Sequence, residues 1–493
     1  MRSGSRFNQN SLVAALVAAL VVVAASPVFA APKMVKISGR GWGHGIGMSQ
    51  YGAYGFAQHG WGGERILRHY YTGAKIVERT IGVKVRVSML QGRSSITVSP
   101  RAKSKDGGLM VLKVKGSKTK IAGARPGQTL KLEASAAGGV RIFKNGNRVR
   151  RDGKSVFGST KRPVIARYAQ FGTQVDTDGK SYAVGHGAME FVSYSSSGCS
   201  VGKCLSQVAV LGMQKYLYGL GEVPASWPQQ SLRAQAMAGR TFAYSKLLAN
   251  TNRGVPCFCA VYDSVADQVF VGEAKRTGSG MYWKNWKKAV DSTNKQVILD
   301  GGDPIVALYS SSSGGYTESN RIVWGSAQEP YLRGVKDPYD RAGGANPNYR
   351  WSLKMTWASL RTKLANSFGS FGKLKKLVIV HKGVSGRVAF DGLKIVGSER
   401  TIRVGGWATR TALGLKDTWF RFKVIPATTA RAALSEPAPD ETLPEPREPQ
   451  PAPGESPAPS PSPSPSPSPT PSSTQNNEPG REAPGRFRLA RWL

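Results

Sequence analysis

The stretch YLYGLGEVPASWPQQSLRAQAMAGRTFAYS, Tyr216 to Ser245, decides how the chain is organised. It holds one carboxylate, Glu222, among aromatic, Gly and Pro residues. Ser226-Trp227-Pro228 then signals helix entry, because proline fits a first helical turn where its missing N–H would be unpaired anyway. Leu232, Ala236, Ala243 and Leu247 follow at close to helical spacing and predict one apolar face, with Arg233, Arg240 and Lys246 left for other faces. The helix is a support, and the loop before it, carrying Glu222, is the candidate site.

Both ends of the 493 residues look non-globular. Residues 1–30 carry Arg2 and Arg6, an apolar run from Leu12 to Ala25 and Val28-Phe-Ala30, the pattern of a cleavable signal peptide. Export to the cell wall or medium is the expected localisation. From 426 to 493 the chain is dominated by Pro and Ser repeats, which cannot bury a core and predict a disordered, extended spacer. The formal charge of +39 favours contact with polyanions. For an exported chain these are anionic wall polymers, and no specific nucleic-acid partner is expected.

Working outward, VKISGRGWGHGIGMSQYGAYGFAQHGWGGERILRHYYTGAKI begins at Val35. Val35 and Ile37 predict a short strand, and Gly39 to Gly47 a loop whose glycines permit close backbone approach. Ser49 starts a helix that stops at His59-Gly60, and a second runs from about Gly63 to Tyr71. A third distinctive run, Ala307-Leu-Tyr-Ser-Ser-Ser-Ser-Gly-Gly-Tyr-Thr-Glu318, precedes Trp324.

These segments resemble the family of stage II sporulation protein D, the SpoIID/LytB domain. Glu222-Val-Pro-Ala-Ser-Trp-Pro with Leu-Arg-Ala-Gln-Ala matches its Glu-bearing signature, and His44, Met48, Ser49, Gln50, Tyr51 and Tyr70-Tyr71 match a second one. The Ser/Gly run and Tyr262-Asp-Ser-Val-Ala-Asp-Gln-Val-Phe add further matches. Two departures stand out. The second acidic position after Trp-Pro is Gln230 here, and the His44 segment precedes the core, whereas in many members it follows it. A circularly permuted order would place the Trp419 to Val424 strand beside Val35 to Ile37.

The resemblance implies an exported peptidoglycan lytic transglycosylase that cleaves glycan strands, including strands stripped of stem peptides, to anhydromuramyl ends. Glu222 would be the single general acid/base. His44, Gln50 and Tyr51 would contribute to the cleft. Gln235 and Arg240 would orient Glu222 or hold the Ser/Gly loop, and Ser312, Ser313, Gly314, Gly315 and Thr317 would form a polar glycan-binding wall. Trp227, Trp324 and Tyr309 are candidates for stacking on sugar faces. The alternative is a non-catalytic wall-binding protein that enhances a wall amidase.

Residues 81–180 alternate apolar and polar positions in short runs, as in Val83-Lys-Val-Arg-Val87, and predict a β-rich accessory segment. The expected architecture is α+β. It comprises the His44 segment at 31–80 packed on the core, the accessory segment at 81–180, and a catalytic core of mixed sheet and helix at 181–425.

Cys199 and Cys204 are close enough for a short disulfide loop, leaving Cys257 and Cys259 as a tight pair or as metal ligands. Zinc sites usually need four ligands, and no His lies near Cys257-Phe-Cys259 in sequence. Disulfides are therefore favoured, with no metal or cofactor and zinc as the alternative. Gly-Lys-Ser at Gly153 and Gly179 lacks the upstream Gly of a phosphate loop, and HExxH does not occur.

Overall fold

The computed structural model describes residues 33–103, 105, 107–168, 173–178, 186–199, 201–249 and 254–427. The signal-peptide reading of residues 1–30, the tail beyond 427 and the Gly179 motif lie outside the described residues. The protein is α+β, with both helices and antiparallel-dominated sheets around the helix Gln229–Ala249. No helix among the described residues is long and apolar enough to cross a membrane.

That 21-residue helix is more buried than its one-face pattern predicts. Leu232, Ala236, Ala243 and Leu247 do pack together, in a large cluster with the β-rich half of the chain. Ala234, Met237, Ala238 and Phe242, on another face, join a second cluster with Ile46, Phe56, Ile66 and Tyr70 of the N-terminal segment. The high Ala and Gly content lets neighbours approach from several directions, so polar residues such as Gln235 and Arg240 are also enclosed. Full burial of a large apolar side chain stabilises by roughly 1.5–3 kcal/mol, which makes this doubly packed helix the scaffold of the molecule.

Strands of residues 81–180 share a sheet with those of the expected core. Val85–Arg93 pairs with Lys203–Leu211, and Val164–Tyr168 pairs with Ala188–Ser195, inside one seven-stranded sheet. A five-stranded antiparallel sheet, including Ser95–Ala102 and Leu130–Ala134, packs into the same hydrophobic cluster. The alternation seen in sequence is the inward and outward period of these strands. Cys199 pairs with Cys204 and Cys257 with Cys259, and Cys199 and Cys204 lie in a small cluster with Tyr194 and Phe258.

The N-terminal segment is built into the fold at several points. Strand Met34–Arg40 lies between Arg350–Thr356 and Phe420–Ile425, antiparallel to both, with Ile37 opposite Phe422 and Val35 opposite Val424. The strand neighbours expected from the displaced motif are therefore hydrogen-bonded partners. Met48–Ser49 pairs in parallel with Tyr309–Ser310, and Lys75–Glu78 pairs with Gln296–Asp300. Helices Gln50–Gln58 and Gly63–Tyr70 form as the sequence predicts. Ser49 Oγ caps the first by accepting from Gly52 N–H. Gln230 Oε1, at the departed acidic position, accepts from Gly63 N–H at 3.0 Å and so anchors the second.

A buried ion pair joins these parts. The Arg387 guanidinium donates to both oxygens of Asp417 at 2.9 and 3.0 Å, with both side chains fully buried. Removing one member of such a pair leaves an uncompensated charge in the interior. Asp417→Ala is expected to destabilise the protein by about 3–5 kcal/mol in chemical denaturation. Glu64→Ala breaks the exposed Arg68–Glu64 pair and should cost no more than about 1 kcal/mol. Equal losses for the two variants would contradict this ranking.

Candidate active site

Glu222 sits on the loop between helix Met213–Tyr218 and the central helix. A short antiparallel contact with the Gln268-Val-Phe segment fixes the loop. Gly221 N–H donates to Val269 C=O at 2.9 Å, Val271 N–H donates to Gly219 C=O at 2.8 Å, and Leu220 bridges Phe270. Val269 N–H then donates to Glu222 Oε1 at 2.7 Å. Gly219 permits the approach, since a Cβ there would overlap the Phe270 ring.

Two other distant segments reach the same carboxylate. The Gln50 side chain hydrogen-bonds it and also makes long 3.4 Å contacts to Glu222 C=O and Gln235 Oε1. Tyr309 hydrogen-bonds it as well, at the end of a directed chain. Tyr216 Oη donates to Gln268 Oε1 at 2.8 Å, and Gln268 Nε2 donates to Tyr309 Oη at 2.8 Å. Because Tyr309 Oη accepts there, its single hydrogen is available to the carboxylate.

Burial is the largest influence on Glu222 and raises its pKa to about 7. The Val269 N–H, Tyr309, Gln50 and the Lys275 ammonium oppose it by favouring the charged form. Lys275 is buried, donates to Val223 C=O, and is itself lowered to about 8 by burial, with Glu222 working the other way. Glu222 thus titrates close to neutrality while remaining partly exposed. Its charged neighbour is a cation. Sequence reasoning missed Lys275, which lies in an unremarkable polar run, and assigned Tyr309 to sugar stacking where the structure gives it a hydrogen bond to Glu222.

Beside the carboxylate, Trp227 packs against Tyr51 at 5.0 Å and Tyr54 at 5.2 Å between ring centroids. All three rings are half-exposed and flank the Glu222 loop. His44 stands behind the site. Its Nδ1 accepts from Ile46 N–H at 3.0 Å, which leaves Nε2 to donate to the Tyr309 backbone. Burial, with the Arg387 and Arg410 charges, lowers its pKa to about 4, so it is neutral and fixes the Tyr309 strand. Its ring packs near Trp324, at 5.6 Å, which places that tryptophan on the His44 side.

The remaining expected site residues serve the scaffold. Arg240 donates to Val290 C=O at 3.2 Å and Gln296 C=O at 3.1 Å, pinning the end of helix Trp283–Ser292 instead of Glu222 or the Ser/Gly loop. Gln235 is buried and meets Gln50. The Ser/Gly loop turns inward. Ser312 Oγ donates to Asp340 at 2.7 Å, Ser313 Oγ to Asp337 at 2.6 Å, and Gly314 N–H to Asp340 at 2.8 Å. Gly315 N–H donates to Ser313 Oγ at 3.1 Å, and Thr317 is tied to Val335. The Ser312 and Ser313 hydroxyls are consumed by buried carboxylates, so the loop docks the Ser49 helix start and does not offer a glycan-facing wall. Asp337, Asp340 and Arg387 were not singled out in the sequence, where nothing local distinguishes them.

Among the described residues no group of three His, Cys, Asp or Glu side chains is arranged to hold a metal ion.

Residues 202–299, which include Glu222, Gln268 and Lys275, match the family model described as stage II sporulation protein. The chain is 38% identical over 143 residues to the amidase enhancer of Bacillus subtilis, covering 29% of this chain and 17% of that protein. It is 33% identical over 159 residues to stage II sporulation protein D of Bacillus subtilis, covering 31% and 45% respectively. The homonymous protein of Bacillus amyloliquefaciens is 33% identical over 136 residues, covering 26% and 39%. The chain spans less than half the length of these curated relatives. With the family model matched across the Glu222 loop and its supports, residues 202–299 carry a domain of the stage II sporulation protein family.

Proposed function

We propose that the protein is an exported peptidoglycan lytic transglycosylase with Glu222 as its general acid/base. The observation that carries this reading is one partly exposed carboxylate, raised to about 7, among neutral donors and a lysine. Glycoside hydrolysis ordinarily employs two carboxylates. A transglycosylase needs one, because the primary hydroxyl of the muramic sugar attacks intramolecularly, with a large proximity advantage.

In the proposed reaction, protonated Glu222 donates its proton to the leaving glycosidic oxygen as that bond breaks. The muramic hydroxyl oxygen bonds to the anomeric carbon and its proton passes to Glu222. The acid is restored, an anhydro ring forms and no water is consumed. Between the two transfers, Val269 N–H, Tyr309, Gln50 and Lys275 stabilise the carboxylate. Trp227, Tyr51 and Tyr54 supply aromatic surface for sugar rings.

Export through the first 30 residues, adhesion of the basic chain to anionic wall polymers and use of the Pro-rich tail as a spacer belong to the same proposal. A reordered arrangement of the family's motifs is supported by the pairing of Ile37 with Phe422. The second reading is non-catalytic stimulation of a wall amidase. It is favoured by similarity to a protein named amidase enhancer.

Incubation with intact and peptide-stripped glycan strands, read by mass spectrometry, is expected to give anhydromuramyl ends. Glu222→Gln should lower their yield by at least about 10²-fold, the usual scale of general acid–base catalysis. No such ends from either substrate, or an equal yield from Glu222→Gln, would falsify the enzymatic reading, and reducing ends would identify a hydrolase. The pH dependence has a definite sign. The donor must be protonated, so kcat/KM should be full below about 7 and fall as pH rises through it. Tyr309→Phe and Lys275→Met each remove a group that favours the carboxylate, so both should move this alkaline limb to higher pH. A limb left in place by both changes would contradict the assigned electrostatics.

A further inference from the structure

A concavity lies at the Tyr218-Gly219 start of the Glu222 loop. It has a volume of about 300 Å³ and is bounded by Tyr218 and Trp283, whose rings meet edge to face at 5.8 Å. Lys103, Lys215, Arg276 and Lys287 line it, whereas its acidic lining residue is Glu273, which is paired with Arg276. Asp291 also partners Lys287 and accepts a hydrogen bond from the Tyr218 hydroxyl. The excess positive charge is felt within the recess. Lys215 is lowered by burial and then by Lys287, and His186 is lowered to about 4 by burial and then by Lys215 and Arg276. His186 is therefore a neutral lining group. Thr173 and Gln174 add polar residues to its lining.

These features describe a ligand more closely than the overall charge of the chain does. Aromatic walls suit a ring, and convergent Lys and Arg side chains suit one acidic substituent. The volume is at the small end of ligand sites and matches a unit of about one sugar. Position links the recess to the reaction. Gly219 and Gly272 both line it and are hydrogen-bonded to each other at 3.2 Å. Glu222 follows Gly219 by three residues, a separation of at most about 10 Å. Helix Ala274–Ser279 serves both places, since Lys275 reaches Val223 beside Glu222 while Arg276 lines the recess.

We propose that this recess is a subsite for an acidic sugar residue, a ring bearing a carboxylate or a phosphate, and that its occupation selects which glycosidic bond reaches Glu222. The choice of a saccharide rests on the proposed cleavage of glycan strands. The charge could come from the strand's own muramyl carboxylate or from the phosphate of a polymer attached to it.

The test uses the full chain carrying Glu222→Gln, so that ligands are not consumed. Three probes are titrated by calorimetry: a neutral chitotetraose, a peptide-free muramic-containing tetrasaccharide with free carboxylates, and N-acetylglucosamine 6-phosphate. At least one acidic probe is expected to bind about tenfold tighter than the chitotetraose, the scale of one hydrogen bond to a charged group. Preference for the carboxylate probe would assign the strand, and preference for the phosphate probe would assign the attached polymer. Adding Arg276→Ala and Lys287→Ala, both exposed positions, should abolish the preference without changing chitotetraose affinity or melting temperature. Equal affinity for all three probes, no binding of either acidic probe, or a preference that survives the double change would overturn the proposal. The two readings fail separately. Acid-selective binding without anhydromuramyl ends from the unaltered chain would sink the reaction and keep the subsite, and the reverse result would sink the subsite alone.

Discussion

A buried guanidinium holds the site's supports in place. Besides the two Asp417 oxygens, Arg387 donates to Tyr316 C=O at 2.6 Å and Ser313 C=O at 2.8 Å. A Cβ on Gly45, whose φ is +70°, would overlap this group. One charge thus joins the glycine loop near residue 45, the Ser/Gly loop near 313 and the approach to the last strand near 417. An interior charge is tolerated only with such full pairing. Asp340 extends the same logic. It accepts from Ser49, Ser312, Ser313, Gly314 and Asn346, which locks the start of helix Gln50–Gln58 onto the Ser/Gly loop. Gln50 and Tyr309 reach Glu222 because these anchors sit behind them.

The two regions use carboxylates differently. Asp340 and Asp417 have their oxygens occupied and hold backbone in place. Glu222 is less fully served, and the outcome is a balance: burial raises its pKa, three donors and the Lys275 charge pull it down, and burial wins by enough to leave it near 7. A group poised there can lose and regain a proton without a large energetic mismatch in either state. The same donors also explain why a lone carboxylate is workable, since its negative form is received by groups already in position.

Much of the fold was legible because local chemistry agreed with the final packing. Ser49, His59-Gly60 and Pro228 marked helix ends, and alternating residues such as Val85 and Val87 marked strands. That the Trp419 to Val424 strand lies beside Val35 to Ile37 was readable from the order of the motifs. Less of the site was legible. The hydroxyl-rich Ser312 to Thr317 run looks like a binding surface, yet its partners, Asp337 and Asp340, lie more than 20 positions along the chain and turn it inward. Arg240 looks like a surface cation on the helical pattern, but the small residues around it bring Val290 and Gln296 close enough to enclose it. Lys275 carries no local signal. Its nearness to Glu222 arises only when the segment after Phe270 folds back along the loop.

The central claim is that Glu222 carries a proton near neutral pH inside a site assembled from three distant segments. Its most direct test is an isotope-edited carboxyl titration, by infrared or carbon NMR, with Glu222→Gln identifying the signal. The account predicts a midpoint near 7. A midpoint at the ordinary glutamate value of about 4.3 would contradict it.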